Sequence, residues 1–485
     1  MAMGMLAVLS IAVVLVVDSS TSNARSSTRS GGDKVAFALA EAGINNAMAV
    51  LNLPTNNALK QSTLVACTGP ESGWNKSDYE GGYVVWCGTF NASGAYWDVT
   101  AIGYVRNPFG TKIISRKIGA RVVVTPTTTQ PLNNPAWNYL FNRSTALTCD
   151  MTLANNVGGS SRLYVSGDLC LSNNAGVTSA ELIVHGNLSL GNNAFVGAST
   201  SLDTRVPTHV GGICQYGGGV WTSPNCGGNQ DSRRIYSKIV PGNTIGVSTT
   251  PPIIGAPVSD FATWYSNAMP GPTQSCTASS GTVPVFDNDG IRNNSVTSVF
   301  ELTPTTSYSC RVGPAESPSG ELTWNATTRV LTVSGTIFID GSLKMTNGFL
   351  NQYNGQATVY LSGTFYAGNN TKMCGGVSGS NCDFGAWNPN TEMMTITTDG
   401  TGGLAGTGNG ILMDNNSVFQ GALYATNNIQ YTNNSRSDGP MVANELIFAN
   451  NVQNDSFPTI TVVPVGQPGN PAVYAQPNPP QMFSG

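Results

Sequence analysis

Chemistry in this 485-residue chain could rest on two histidines, ten cysteines and a sparse set of carboxylates. His185 and His209 are the only imidazoles. Neither has a Cys or Asp beside it at the spacing a nucleophile–base pair or a metal site requires. Enzymes that cleave polysaccharides need clustered carboxylates, some of them with Ca²⁺. Here Asp168 and Asp340 stand in separate segments. Asp287-Asn288-Asp289-Gly290 resembles part of an EF-hand loop. If Gly290 is the loop's glycine, Val285 and Val296 fall where the first ligand and the bidentate glutamate belong. Starting at Asp287 instead puts Ser298 at the glutamate position, so an Asx-rich turn is the better account. The Gly-rich stretches 211–219 and 225–228 lack the strand–helix context and the lysine of a phosphate loop. No catalytic residue, cofactor or metal is expected. Ten Asn-x-Ser/Thr triplets are candidate glycan acceptors: Asn75, Asn91, Asn142, Asn187, Asn293, Asn325, Asn369, Asn415, Asn433 and Asn454. Trp221, Tyr216 and Trp387 are candidates to stack on sugars, with burial as the competing account.

The cysteines carry the other chemistry. Ten of them with so few histidines suit an oxidising compartment. Nearest-neighbour pairing gives Cys67–Cys87, Cys214–Cys226, Cys276–Cys310 and Cys374–Cys382. Cys149–Cys170 needs a corner that breaks strand alternation, because the two residues fall on opposite parities. Spacing alone does not determine connectivity. Only 10% of residues are charged and the net charge is −4, which excludes a nucleic-acid partner. With 40% apolar residues the chain can bury a core.

These residues must be positioned by elements with three distinct patterns. Residues 3–17 are uncharged and apolar, with the stripe Met3, Met5, Leu6, Val8, Leu9, Ile11, Val13, Val14, Leu15, Val16 and Val17. Fifteen helical residues span roughly 22 Å, short of the roughly 30 Å membrane core. A polar stretch follows, with Gly31-Gly32 as a weak point in any helix. A second, amphipathic helical pattern occupies 35–51, and Pro54 closes it. A secretory signal or a simple anchor would share the apolar run. However, no basic residue precedes it, and Val16-Val17-Asp18 is unlike a cleavage site.

An apolar half followed by an amphipathic half resembles a type IV pilin stalk. The segment containing Ala40-Glu41-Ala42-Gly43-Ile44 is similar to the end of the amino-terminal helix in PilX-type minor pilins. The resemblance covers about 50 residues. It implies that the apolar half sits in the inner membrane before assembly and in the filament core afterwards, packed against copies of this chain or other pilins. The family's basic leader does not precede Met3, so the chain is expected to start after processing or at a misplaced start. Met5 stands where the family carries a glutamate that pairs with a neighbouring amino terminus. Packing here would therefore rest on apolar burial.

Residues 55–130 carry three β-branched, aromatic-rich runs, 82–90, 96–105 and 112–124, separated by Gly/Asn/Pro breaks. They predict an antiparallel sheet covered by the amphipathic helix. Beyond it a repeat emerges: apolar, any, Gly, any, apolar, any, apolar, any, Asn. Copies run at 163–174, 182–193, 337–347, 359–370 and 418–428, with looser ones at 147–156 and 442–451. Spacings of 18 to 23 residues suit the rungs of a parallel β-helix, half-buried strands stacked about 4.8 Å apart. Asn after each strand tolerates a left-handed corner, and equivalent Asn side chains can bond along the stack.

The expected fold is mainly β with a long amino-terminal helix. The expected domains are a pilin-like helix (1–54, apolar over 1–17 and amphipathic over 33–53), an antiparallel module (55–130) and a β-helix (131–457) with insertions or less regular rungs at about 197–336 and 371–417. A Pro-rich extended tail (458–485) ends the chain. The expected function is that of a structural subunit of a type IV pilus-like extracellular filament, not an enzyme. It would be membrane-anchored before assembly and display a disulfide-braced domain for adhesion, with surface glycans among the partners. The rival is a secreted or membrane-anchored β-helix adhesin or polysaccharide-acting enzyme.

Overall fold

A computed structural model describes residues 2–53, 64–91, 96–107, 111–146, 148–217, 226–259, 275–281, 298–312, 318–470 and 475–484. The Asp287–Gly290 motif, Asn293 and Trp221 lie outside them. The chain is mainly β with one long helix, and it forms two units, residues 1–125 with 475–485, and residues 126–474.

In the first unit one continuous helix, α1, runs from Ala2 to Leu51. The helix runs unbroken through the weak point at Gly31-Gly32. Glycine in a helix costs about 1 kcal/mol against alanine but clashes with nothing. Thr21 and Thr28 back-bond to the Val17 and Ala24 carbonyls, at 2.9 and 2.8 Å. The sheet is antiparallel in chain order: Asn75–Tyr79, Gly82–Asn91, Tyr96–Val105 and Ile114–Pro126. Its first strand went unread, being short and polar. The end of the Pro-rich tail adds to this sheet, since Gln481–Ser484 pairs antiparallel with Ile114–Pro126.

In the second unit three ladders of parallel strands wind as successive coils of a β-helix. Face one stacks ten strands, from Cys214–Tyr216 through Leu188–Leu190, Leu169–Leu171 and Met151–Leu153. It continues to Leu446–Phe448, Asn428–Tyr431, Asn409–Met413, Phe365–Ala367, Ser342–Met345 and Val299–Leu302. Its strands are half-buried: Leu169, Leu171, Leu188 and Leu190 point inward, while Cys170 and Ser189 between them are partly exposed. Each short strand buries too little alone, and stacking supplies the core.

Face two includes Leu182–Val184, Leu163–Val165, Leu140–Asn142, Met441–Ala443 and Ala422–Ala425. These strands are buried on both sides. Outside the coil, Phe141, Tyr164, Ile183, Tyr424 and Val442 form a second apolar cluster with Trp137, Ile460 and Val463. Phe141 and Tyr164 stack with centroids 4.3 Å apart. The cover consists of extended Pro-rich segments. In one, the Ile254 and Ser259 N–H groups donate to the Tyr164 and Tyr424 hydroxyls, at 3.3 and 3.1 Å.

The coils are not stacked in chain order. The chain joins the stack in its middle at Leu140–Asn142 and winds outward to Cys214–Tyr216. It resumes at the opposite end with Val299–Leu302 and winds back. The last coil then seats on the first, with Met441 beside Leu140, Ile447 beside Thr152 and Gln453 beside Gly158. Where the chain joins and leaves this unit, Thr129–Pro131 pairs antiparallel with Val462–Pro464.

One part of the repeat reading is resolved and another needs correction. The stretches 197–336 and 371–417 are not insertions throughout but hold less regular rungs, because Val206–Val210, Cys214–Tyr216 and Val299–Leu302 in the first, and Lys372–Cys374, Met393–Thr398 and Asn409–Met413 in the second, sit in the ladders. The copy at 418–428 is out of phase: Val418–Gln420 and Ala422–Ala425 belong to the other two faces. The in-phase segments are Ile411 to Asn416 and Ile429 to Asn434, each ending in an Asn-Asn pair. In seven such pairs the second Asn (156, 174, 193, 370, 416, 434, 451) is left-handed, with φ between 57° and 61°. Gly348 replaces it once, at φ 81°. Asn tolerates this region, which costs most residues about 1–2 kcal/mol. Corners bond to the next coil: the Asn434 N–H donates to the Asn450 carbonyl and the Asn451 N–H to that of Asn155, at 3.1 and 3.0 Å. Side chains bond likewise, Asn451 Nδ2 to Asn434 Oδ1 and Asn156 Nδ2 to Asn451 Oδ1, both 3.1 Å.

Candidate functional site

The carboxyl half of α1 lies on the sheet of its own unit. Ala36, Leu39, Ala40, Ile44, Ala47 and Leu51 are buried at three- and four-residue intervals. Two glycines allow the approach. A Cβ on Gly43 would stand 2.6 Å from Val84 Cγ2 and 2.8 Å from Ala101 Cβ. A Cβ on Gly103 would run into the Ala36 carbonyl oxygen. Asp33 pairs with Arg116 at 2.9 Å, and Asn46 Nδ2 donates to the Tyr79 hydroxyl at 3.1 Å.

From Val13 to Val35 no described side chain is buried. Val13 to Val17 are 55–68% exposed, an unbroken apolar run within the helix. The side chains of Met3, Met5, Leu6, Val8, Leu9 and Ile11 lie outside the described residues. Among the described residues no helix is long and apolar enough to cross a membrane. From Ala2 to Ala36, the first buried among the described residues, the helix extends roughly 50 Å.

Five disulfides brace the sheets: Cys67–Cys87, Cys149–Cys170, Cys214–Cys226, Cys276–Cys310 and Cys374–Cys382. The Cys149 corner breaks alternation with a left-handed φ of 77°. Of the glycan acceptors, Asn325 and Asn433 are exposed, and Asn75, Asn91, Asn187, Asn369 and Asn415 are half-buried. Asn142 and Asn454 are corrections. Both are buried, and each side-chain oxygen accepts a hydrogen bond, from the Leu446 N–H and the Ser437 hydroxyl. A glycan could not be attached to either without unfolding the coil. Trp387 is likewise buried and donates to the Tyr353 hydroxyl at 3.0 Å, so it offers no face to a sugar. Tyr216 is half-buried.

The sequence-flagged titratable groups are held by the fold. Asp168 Oδ1 accepts the Asn187 N–H of the next coil at 2.7 Å, and Asp150 Oδ2 accepts that of Asp168 at 2.9 Å. Asp340 is buried and accepts from the Ser362 hydroxyl at 2.5 Å. Asp150 and Asp168 thus cap backbone donors of the next coil at a corner. His185 Nε2 lies 3.2 Å from the Pro252 carbonyl oxygen, and His209 Nε2 lies 4.0 Å from Glu181. Asp438, which sequence reasoning missed, is 2% exposed, and burial beside Asp455 pushes its carboxyl up to about 7. Its Oδ2 accepts from Gln420 Nε2 at 3.3 Å, while Arg436 pairs with Asp455 and lies on the Phe384 ring. Its signal was an Asp two residues from Arg436 in a strand otherwise reading as polar.

No protein-family model matches the chain, and no curated protein matches it. Among solved structures, the competence-associated pilin ComZ from Thermus thermophilus matches with a TM-score of 0.38 and 12% identity. The match spans 93% of this chain and 97% of that one. A likeness at that level is too weak to carry fold or function, which rest on the chain's own residues.

Proposed function

We propose that this chain is a structural subunit of a type IV pilus-like extracellular filament, assembled through the amino half of α1 and displaying the β-helix for surface adhesion. One observation carries the reading. Among the described residues of a single 50-residue helix, burial on its own sheet begins at Ala36, and the exposed run Val13 to Val17 has no partner surface. Exposed apolar area of this kind is stabilised by association, at about 25 cal/mol per Å² removed from water. Before assembly the same face enters the inner membrane; in the filament it packs against equivalent helices of copies or other pilins. Five disulfides suit an extracytoplasmic setting. Sparse charge, at 10% of residues, lessens repulsion between crowded displayed domains.

The test is to shear the cell surface, collect the fibres and map the amino-terminal peptide by mass spectrometry. Peptides spanning residues 3–17 are expected in the fibre fraction. The variant Val14→Lys/Val16→Lys should be made, oxidised and absent from fibres. A chain that begins beyond Val17 and is free in the medium would overturn the reading in favour of a secreted adhesin.

A further inference from the structure

The outer side of face one carries a groove of about 720 Å³, between the strands Ser342–Met345, Phe365–Ala367 and Asn409–Met413 and the short helical turn Gly403–Ala405. This size lies within the range of small-molecule sites. Lys344, Tyr366 and Leu412 are register partners on three successive rungs, so they line its floor as one file. Leu404 forms a wall, and Asn347 and Asp414 edge it. The turn that carries Leu404 is shaped by Gly402, Gly403, Gly406 and Gly408, all at positive φ. Asn409 pins that turn through its Nδ2, which reaches the Ala405 carbonyl at 3.0 Å and Gln430 Oε1 at 2.7 Å.

The groove's charges are already matched. Lys344 Nζ pairs with Glu301 at 2.9 Å, and Glu301 also accepts from the Thr346 hydroxyl at 2.9 Å. The Tyr366 hydroxyl donates to Asp414 Oδ2 at 2.9 Å, and the other Asp414 oxygen accepts the Asn415 N–H at 2.8 Å. An ionic ligand would have to break one of these pairs. A neutral ligand rich in hydroxyl groups would not, because paired carboxylates and an ammonium keep spare lone pairs and protons. The half-buried Tyr366 ring and the two leucines offer the flat apolar contact that the C–H face of a sugar ring seeks.

We propose that this groove binds a neutral saccharide, with Tyr366 as its stacking platform and Lys344, Asp414 and Asn347 as its hydroxyl partners. The inference deepens the adhesive half of the proposed function and rests on that reading for its setting alone. It stands apart from assembly, since the groove lies wholly within residues 344–414.

The test is calorimetric titration of the full chain, held in a non-glycosidic detergent. The probes are cello-, chito-, manno- and malto-hexaose, with polygalacturonate as the acidic comparison. At least one neutral hexaose should bind, and polygalacturonate should not. Tyr366→Ala should weaken binding at least about tenfold, the equivalent of about 1.4 kcal/mol. Tyr366→Phe, which keeps the ring and the fold, should stay within about threefold. The proposal is overturned if no hexaose binds, if Tyr366→Ala binds as well as the parent, or if the acidic polymer competes equally. Failure here leaves the fibre assay unaffected, and a chain missing from fibres could still bind the hexaose.

Discussion

The Asn corners allow backbone strain and side-chain bonding to be separated at one residue. Asn451 sits at φ 61°, bonds through its side chain to Asn434 and Asn156, and donates its N–H to Asn155 across the join between last and first coils. Asn451→Ala keeps the N–H but forces a residue with a Cβ and no local bonding into the left-handed region, at about 1–2 kcal/mol. It also deletes two exposed side-chain hydrogen bonds, worth about 0.5 kcal/mol each at the low end of the usual range. The expected loss is about 2–3 kcal/mol. Asn451→Gly loses the same bonds without the strain, so it should cost about 1 kcal/mol. Gly348 is the natural control: it occupies the equivalent corner at φ 81° with open space where a Cβ would go. Gly348→Asn should be neutral within about 0.5 kcal/mol, and Gly348→Ala should cost about 1 kcal/mol. The assay is denaturant unfolding of the oxidised full chain, following the β signal by circular dichroism. Equal losses for Asn451→Ala and Asn451→Gly would refute the strain argument. Losses near zero for both would refute the corner's structural role.

Two further perturbations test the packing. Burial raises the Asp438 carboxyl to about 7, from an ordinary value near 3.8. The folded chain therefore holds a proton that the unfolded chain releases, and this group's contribution is fully present below about pH 4 and lost as pH rises through 7. The difference corresponds to about 4 kcal/mol of pH-dependent stability. Comparing the parent with Asp438→Asn in denaturant at pH 4 and pH 8 should show the parent losing stability relative to the variant as pH rises. The opposite slope would mean that Arg436 and Gln420 hold the carboxylate ionised. Gly103→Val places side-chain atoms against the Ala36 backbone, so α1 should lift from its sheet at a cost of about 3 kcal/mol. Protease cleavage within 36–51 should then rise sharply, and unchanged cleavage would place the helix elsewhere.

Much of the fold was legible because a solenoid writes its geometry in short periods. Alternation in Leu169-Cys170-Leu171 marks a strand with one wet side, and the Asn pair after it marks a corner that ordinary residues avoid. The order of the coils was not legible. Parallel register follows the apolar pattern, which is nearly the same in every coil, so nothing local says that Met441 should lie beside Leu140. The same degeneracy produced the false copy at 418–428, where an apolar–Gly–apolar–Asn string spans the other two faces. Face two looks half-wet until the Pro-rich segments that cover Tyr164 and Tyr424 are folded over it. At the candidate site, the apolar run through Val17 was plain from composition. The burial of Asp438 was not, since it comes from residues 376–387 crossing over Gln420 and Arg436.

The mid-stack joining of the coils sets a timetable for synthesis. Residues 140–216 can wind as soon as they are made, but their lower edge, Leu140–Asn142, is completed only by Met441–Ala443. About 300 residues must follow first, and ribosomal elongation at ~5–20 residues per second makes that a wait of ~15–60 s. Throughout it an open strand edge is available to any other chain in the same state. The disulfides do not shorten the wait, because each closes a loop of 8 to 34 residues and none bridges the join. A molecule can thus be fully oxidised and still be half a solenoid. Closure of that edge by Met441–Ala443, and not disulfide formation, is what completes the solenoid.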